Sequence, residues 1–343
     1  MGFLIDMIKV GEGDSFLLTL DSEGGEEVFV LVDAGLPEQG DTVVEYARKY
    51  APGGLDLIIA THIDRDHIGG MPKVLGTCVQ PDQTRLILNV PPRLTETWRP
   101  LRKTLDAYGK VARAKKLTEA LDMVDELVSA ANRSRVKISG ALAGRSWACG
   151  DVVIRVLNPS EARLQKAWEE TDLLRYVNSK MPEDLVEAIL ELEEAVSEAP
   201  ATSAENDASI VLEVEYKGTP NALLTGDAGA AVLKEVTGGK SYSFLKVPHH
   251  GSETGLDEDL VKQIAPKTAF IPVGDNPHGH PARTILKMLK QNKVSFYCSD
   301  KTSSCKGNCR EGGFQHLSQM FDRAGHPDFV TAQAGACPRV ASV

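Results

Sequence analysis

One stretch constrains the fold more than any other. Residues 55–70 read LDLIIATHIDRDHIGG, a short apolar run that breaks off into two histidines and two aspartates within six positions and closes on paired glycines. LDLIIA has the length and composition of a buried strand that delivers His62 at its carboxyl end. Open α/β sheets place their chemistry outside the carboxyl ends of such strands. His62, Asp64, Asp66 and His67 are costly to bury together unless something shared satisfies them, and imidazole and carboxylate are usual ligands of a divalent metal ion.

Strand and helix patterns alternate along the rest of the chain. FLIDMIKV and SFLLTL read as strands around the turn GEGD, and EEVFVLVDAG as a third strand running into a glycine turn. TVVEYARKYA has helical spacing, MPKVLGTC is a short helix and TRLILNVPP a strand. ASIVLEVEY and NALLTGDAG form a hairpin, AAVLKEV a helix, SFLKVPHHGS and TAFIPVG strands, HPARTILKMLKQN a helix, and VSFYC closes the sheet. No internal repeat is evident. The pattern predicts one domain over 1–300, with helical insertions at about 95–132 and 161–198, and a cysteine-bearing extension over 301–343.

Three further segments put polar residues at strand ends: Asp227 in LLTGDAG, His249 and His250 in KVPHHGS, and His278 and His280 in NPHGHPA. Singly, each reads as a helix cap or a surface histidine. Together with the first cluster they predict a site for two metal ions.

The 343 residues carry a formal net charge of −10 with a pI of about 5.4, which argues against a general nucleic-acid-coating protein. The charge is uneven. Arg93 to Lys116 is strongly basic, including Lys110, Arg113, Lys115 and Lys116, whereas 161–198 is strongly acidic. Such runs are commonly solvated helix faces; next to a catalytic cleft the first would hold phosphates and the second would face a protein partner. No apolar stretch is long enough to span a bilayer, and MGFLIDMIKVGEGDSF lacks the features of a signal peptide, so the expectation is a cytoplasmic protein without membrane contact. Cys78 and Cys149 read as isolated buried thiols, while Cys298, Cys305, Cys309 and Cys337 match no standard zinc module.

THIDRDHIGG resembles the HxHxDH signature of the metallo-β-lactamase fold, with aspartate at the second histidine position. IKVGEGDSFLL, VLVDAG, NDASIVLEVEY, LLTGD, LKVPHHGS and NPHGHP are similar, in order, to blocks of the ComEC-type hydrolase domain of bacterial DNA-uptake proteins. The resemblance implies an α/β fold, a four-layer αβ/βα sandwich with its metal site along one edge. It implies that His62 and Asp64 bind one divalent ion, Asp66 and His67 the other, and that Asp227 bridges them. His250 would complete the second site and His249 would contact substrate. Where the fold usually gives the first ion another histidine, this chain reads ENDAS, and Asn206 or Asp207 is the expected substitute. The ions are expected to be zinc or manganese, with magnesium an alternative. The expected catalytic residues are Asp66, His249 and His280, with His280 or the non-ligand histidine of the pair protonating the leaving oxygen. Asp33 is expected either to orient a ligand or to serve as a turn residue. The implied activity is a metal-dependent phosphodiesterase, foremost a nuclease with nucleic acid as substrate. The alternatives are a hydrolase of small phosphodiesters, of the phosphorylcholine-ester or cyclic-nucleotide type, and a partner-binding module with a weak metal site.

Overall fold

Period-two alternation sorts the strands of the fold into two faces. In the computed structural model, which describes residues 2–21, 25, 27–90, 112–170, 203–300, 302, 316–321 and 327–330, the strands form two sheets. The first has the order β15-β14-β1-β2-β3-β4-β5-β6. Its strands are β1 (Phe3–Ile8), β2 (Phe16–Asp21), β3 (Glu27–Val32), β4 (Leu57–Ile59), β5 (Arg85–Ile87), β6 (Lys137–Ser139), β14 (His316–Phe321) and β15 (Pro327–Val330). The second has the order β13-β12-β11-β10-β9-β8-β7. It contains β7 (Ser146–Cys149), β8 (Val152–Asn158), β9 (Val211–Tyr216), β10 (Thr219–Leu224), β11 (Phe244–Lys246), β12 (Thr268–Ile271) and β13 (Ser295–Cys298).

Inward residues of both sheets share one buried layer: Phe3, Ile5, Phe16, Leu18, Val30 and Ile59 meet Ile154, Leu212, Val214, Phe244 and Phe270. Outward residues take helices. On the first sheet, Leu31, Ile58 and Leu86 pack with α1 (Gly40–Tyr50), α3 (Met71–Thr77) and α4 (Ala112–Arg133). On the second, Leu223, Leu245 and Ile271 pack with α7 (Ala230–Thr237), α8 (Glu258–Ile264) and α9 (Arg283–Gln291). The result is the α/β/β/α layering expected.

The two halves repeat one pattern of pairing. β1-β2-β3 is antiparallel and β3-β4-β5-β6 parallel. Likewise β8-β9-β10 is antiparallel and β10-β11-β12-β13 parallel. That repeat has no counterpart in residue identity. His316–Phe321, from the segment read as an extension, pairs along the whole of β1. Of the acidic insertion, only α5 (Glu161–Glu170) lies within the described residues. Cys78, Cys149 and Cys298 are buried free thiols, whereas Cys305, Cys309 and Cys337 lie outside the described residues. No helix among the described residues is long and apolar enough to cross a membrane.

Phe270 is fully buried between the sheets, so Phe270→Ala is expected to lower the unfolding free energy by about 3–5 kcal/mol. Urea unfolding of the metal-stripped protein measures it free of any ligand linkage.

Candidate metal centre

Equivalent strand ends in the two halves meet at one edge of the sandwich. β3 leads to Asp33 and β4 to Thr61–His67, of which Arg65–Ile68 is a single helical turn, α2. β10 leads to Asp227 and β11 to His249 and His250. The β1–β2 turn inserts Asp14 behind them: the Asp14 amide donates to the Asp66 carbonyl at 3.1 Å, and its own carbonyl accepts from Gly35 at 2.8 Å. The approach is close enough to require glycine at two positions. A Cβ at Gly13 would lie 2.2 Å from the Asp66 carbonyl oxygen, and one at Gly70 would lie 2.2 Å from that of Ala34. The paired glycines that end the histidine cluster thus let it press against the β3–α1 loop.

The surroundings orient three histidines identically. His67 Nδ1 donates to Asp33 Oδ2 at 2.8 Å, and that carboxylate is itself held by the Thr61 amide and hydroxyl. His250 Nδ1 is 3.0 Å from the Pro272 carbonyl, which can only accept. Thr61 Oγ1 donates to Asp33, so its remaining capacity toward His62 Nδ1, at 3.1 Å, is as acceptor. Each ring thus keeps a hydrogen on Nδ1 and turns Nε2 to the centre. His62 Nε2 and His67 Nε2 are buried and have no hydrogen-bond partner, in residues only 8% and 0% exposed. Orphaned imidazole nitrogens facing carboxylates are what a metal site looks like before loading.

Two donor sets share one oxygen. Around one position, His67 Nε2 is 3.4 Å from Asp227 Oδ2 and 3.7 Å from Asp66 Oδ2, and His250 Nε2 is 3.8 Å and 3.0 Å from the same two atoms. Metal–ligand bonds of about 2.0–2.2 Å put tetrahedral donors roughly 3.3–3.6 Å apart, close to this set. Around the other, His62 Nε2 is 3.7 Å from Asp64 Oδ2 and 4.0 Å from Asp227 Oδ2, a looser arrangement. Asp14 also stands within reach of His67 and His250, but on their Nδ1 side. The Lys246 ammonium fills that position, so Asp14 is a buttress and not a third donor.

Residues 8–84 match the metallo-beta-lactamase superfamily. The chain has the metallo-β-lactamase fold. It is similar to ComE operon protein 3 of Bacillus subtilis, at 23% identity over 320 residues covering 88% of this chain and 32% of that protein. It is also similar to Recombination protein 2 of Haemophilus influenzae, at 34% identity over 118 residues covering 33% of this chain and 14% of that protein. The chain therefore spans a third or less of the length of these relatives. Among solved structures it resembles Igni18, a metallo hydrolase of the archaeon Ignicoccus hospitalis, with 12% identity, a TM-score of 0.45 and coverage of 93% of this chain and 100% of that one. The metallo-β-lactamase fold implies divalent metal ions, commonly two, and the donor array fits a metal-dependent hydrolase.

Sequence reasoning missed Lys246 and Asp14. Lys246, 1% exposed, interrupts an apolar strand and turns into the inter-sheet layer. Its ammonium pairs with Asp14, donates to the Gly226 carbonyl at 2.6 Å and lies 3.3 Å from Asp227 Oδ1. A lysine in the run FLKVP was the available signal. Asp33, at φ 58°, serves both expected roles, as a left-handed turn residue and as the orienter of His67.

Asp207 is engaged elsewhere, its Oδ1 accepting from the Gly229 amide at 3.3 Å where α7 begins. Asn206, on the short helix α6 (Ala204–Asp207), points to the site, its Nδ2 3.4 Å from His249 Nδ1. His280 packs against His249 with ring centroids 5.6 Å apart, and His278 lies outside it at 5.8 Å from His280. Burial, then the neighbouring histidines, push His280 down to about 4, so it is neutral at neutral pH. Lys110 lies outside the described residues, and Arg113, Lys115 and Lys116 stand on the first turns of α4, where side chains are not described.

Without metal, protons hold the charge balance. Burial opposes ionisation of His67, Asp66, His250 and Asp227, but their mutual attraction outweighs it. Beside Asp227, Asp66 and Asp14, the His250 imidazole is raised from 6.5 to about 9. Burial notwithstanding, Asp66 is held below its ordinary 3.8 by His67 and His250. His250 therefore stabilises the metal-free fold fully below pH 6.5 and ceases to as pH rises through about 9. Asp66 stabilises it above pH 3.8 and ceases to on acidification. Thermal melts in chelator are expected to show greatest stability between these limits and a fall of several degrees toward pH 9; an unchanged melting temperature from pH 6 to 9 would contradict the pairing.

Proposed function

We propose that this protein is a metal-dependent phosphodiesterase that cleaves nucleic acid. The observation that carries the reading is the pair of donor sets sharing Asp227 Oδ2 at an edge where strand ends of both sheets converge. The similarity to ComE operon protein 3 over 88% of the chain supports a polynucleotide as substrate. In this reading His62 and Asp64 serve one ion, Asp66, His67 and His250 the other, and Asp227 both.

Bound divalent ions would supply Lewis acidity and bring the pKa of water from 15.7 toward about 7. The chain's own groups do the positioning. Lys246 engages Asp227 Oδ1 and leaves Oδ2 to face the histidines. Asp33 and Pro272 hold His67 and His250 by Nδ1, so that Nε2 of each is the nitrogen that would bind an ion. His280, neutral and half-buried at the mouth, presents an imidazole to a substrate phosphate or leaving oxygen.

The test is a panel of plasmid, single-stranded DNA, RNA and bis-p-nitrophenyl phosphate against manganese, zinc and magnesium. Cleavage of polynucleotide by wild type is expected. In the Asp66→Ala/His67→Ala double variant it should fall by about two orders of magnitude or more, since lost ligands cost at least what lost outer partners do. Retained activity in that variant would rule out the proposed centre.

A second reading has its own support. A cavity of about 760 Å³ opens between the ends of β5 and β6 and α5, lined by Asn89, Ser139, Leu142, Gln165 and Trp168 among others. That is a volume suited to a small ligand, with none of the proposed metal ligands in its lining. Hydrolysis of the chromogenic ester alone would favour small phosphodiesters.

For a polynucleotide, the basic segment preceding and opening α4 is proposed to hold phosphates, with the acidic segment turned toward a protein partner. Neutralising Lys110, Arg113, Lys115 and Lys116 is then expected to weaken polynucleotide cleavage. The slope of log K against log salt should become shallower by roughly 0.7–0.9 for each phosphate no longer neutralised. Hydrolysis of bis-p-nitrophenyl phosphate should be unchanged; equal loss on both substrates would contradict a phosphate-holding role.

A further inference from the structure

The first donor set is one histidine short of the second, and the fold turns one further histidine to the shared oxygen. Four Nε2 atoms surround Asp227 Oδ2: His67 at 3.4 Å, His250 at 3.8 Å, His62 at 4.0 Å and His249 at 4.0 Å. His67 and His250 share Asp66 as their second carboxylate. His62 has Asp64. His249 stands as far from the shared oxygen as His62 does. We propose that His249 is a ligand of the first metal ion, completing a set of His62, Asp64, Asp227 and His249 that mirrors His67, Asp66, Asp227 and His250. Asn206 is then the residue that positions His249, and not itself a ligand.

Backbone conformation supports the assignment. Adjacent side chains on an extended chain point to opposite sides, so two neighbouring histidines cannot both enter one site from a strand. Here both residues adopt left-handed conformations, at φ 47° for His249 and 52° for His250, which brings their ring centroids to 6.0 Å. Such conformations cost of order 1–3 kcal/mol each in non-glycine residues and persist where the surroundings over-determine them. Both rings turned to one carboxylate oxygen is what this strain secures.

The hydrogen bond to the ring completes the argument. Asn206 Nδ2 lies 3.4 Å from His249 Nδ1, and a half-turn of the carboxamide exchanges that nitrogen for Oδ1. The oxygen then accepts the Nδ1 hydrogen and leaves the Nε2 lone pair toward Asp227. Asp33 does the same for His67, and Pro272 for His250.

The inference rests on the metal centre and is independent of the substrate, so its test reads metal alone. The full chain, labelled with 15N-histidine, is titrated with zinc chloride and followed by long-range 1H–15N correlation. Of its 8 histidines, four are expected to shift at Nε2; three would overturn the proposal, and this measurement needs no variant. After dialysis, wild type is expected to retain two zinc ions per chain and His249→Ala one, with the metal-free melting temperature unchanged. Asn206→Ala should keep both sites but bind one about 10–100-fold more weakly, the usual effect of losing an outer partner. Two ions held by His249→Ala with wild-type affinity, or a single ion in wild type, would overturn it. Loss of an ion in Asn206→Ala but not in His249→Ala would make Asn206 the ligand instead. A chain inactive on nucleic acid that still meets the zinc criteria would refute the substrate reading and leave this one standing.

Discussion

Asp227 Oδ2 is the atom on which the site depends. A carboxylate 3% exposed cannot stay ionised unless cations surround it, and the fold supplies them from both sides. Behind it, the Lys246 ammonium engages the other oxygen. In front, the His67 and His250 rings carry protons in the metal-free protein. Burial acts to neutralise Asp227, yet His67, Lys246 and His250 together keep it well below the ordinary carboxylate range. Asp14 exists in this scheme to satisfy Lys246, since a lysine without an anion at that depth would be as costly as the carboxylate alone. Metal ions would take over the role of the ring protons, so loading and deprotonation are coupled.

The duplicated pairing pattern explains how two donor sets come to share an atom. Each half runs from an antiparallel meander into parallel strands, and a parallel strand ends with its carboxyl terminus at the same edge as its neighbour. Asp33 and Asp227 follow corresponding strands, as do the His62–His67 cluster and the His249–His250 pair. The two aspartates have diverged in what they do, since Asp33 orients an imidazole while Asp227 faces four of them. Packed face to face, the halves bring these ends together, which is why the ligands come from both sheets.

Precision at the centre is obtained at a local cost. Asp33, His249 and His250 all occupy the left-handed region, and Gly13 and Gly70 permit backbone approaches that any side chain would block. These strained turns sit at the ends of strands whose interiors are fully buried, so the inter-sheet layer supplies the rigidity that the turns lack on their own.

Much was legible in the sequence because short-range pattern reports it. Alternating and continuous apolar runs marked the strands, and polar residues placed just after those runs marked the site, so His62, Asp64, Asp66, His67, Asp227, His249 and His250 could be grouped from the chain alone. What spacing cannot express is which face a side chain takes at a strand end or who stands opposite across the sandwich. The pleat of its strand is what turns Lys246 inward, and only the fold shows that Asp14, in the turn GEGD, lies behind the histidines. His316–Phe321 joined β1 from a segment that reads as an appendage. Residue types and local order were determined along the chain; the sharing of one carboxylate by four imidazoles was decided only when two sheets packed, because long-range contacts are set by packing and not by proximity in sequence.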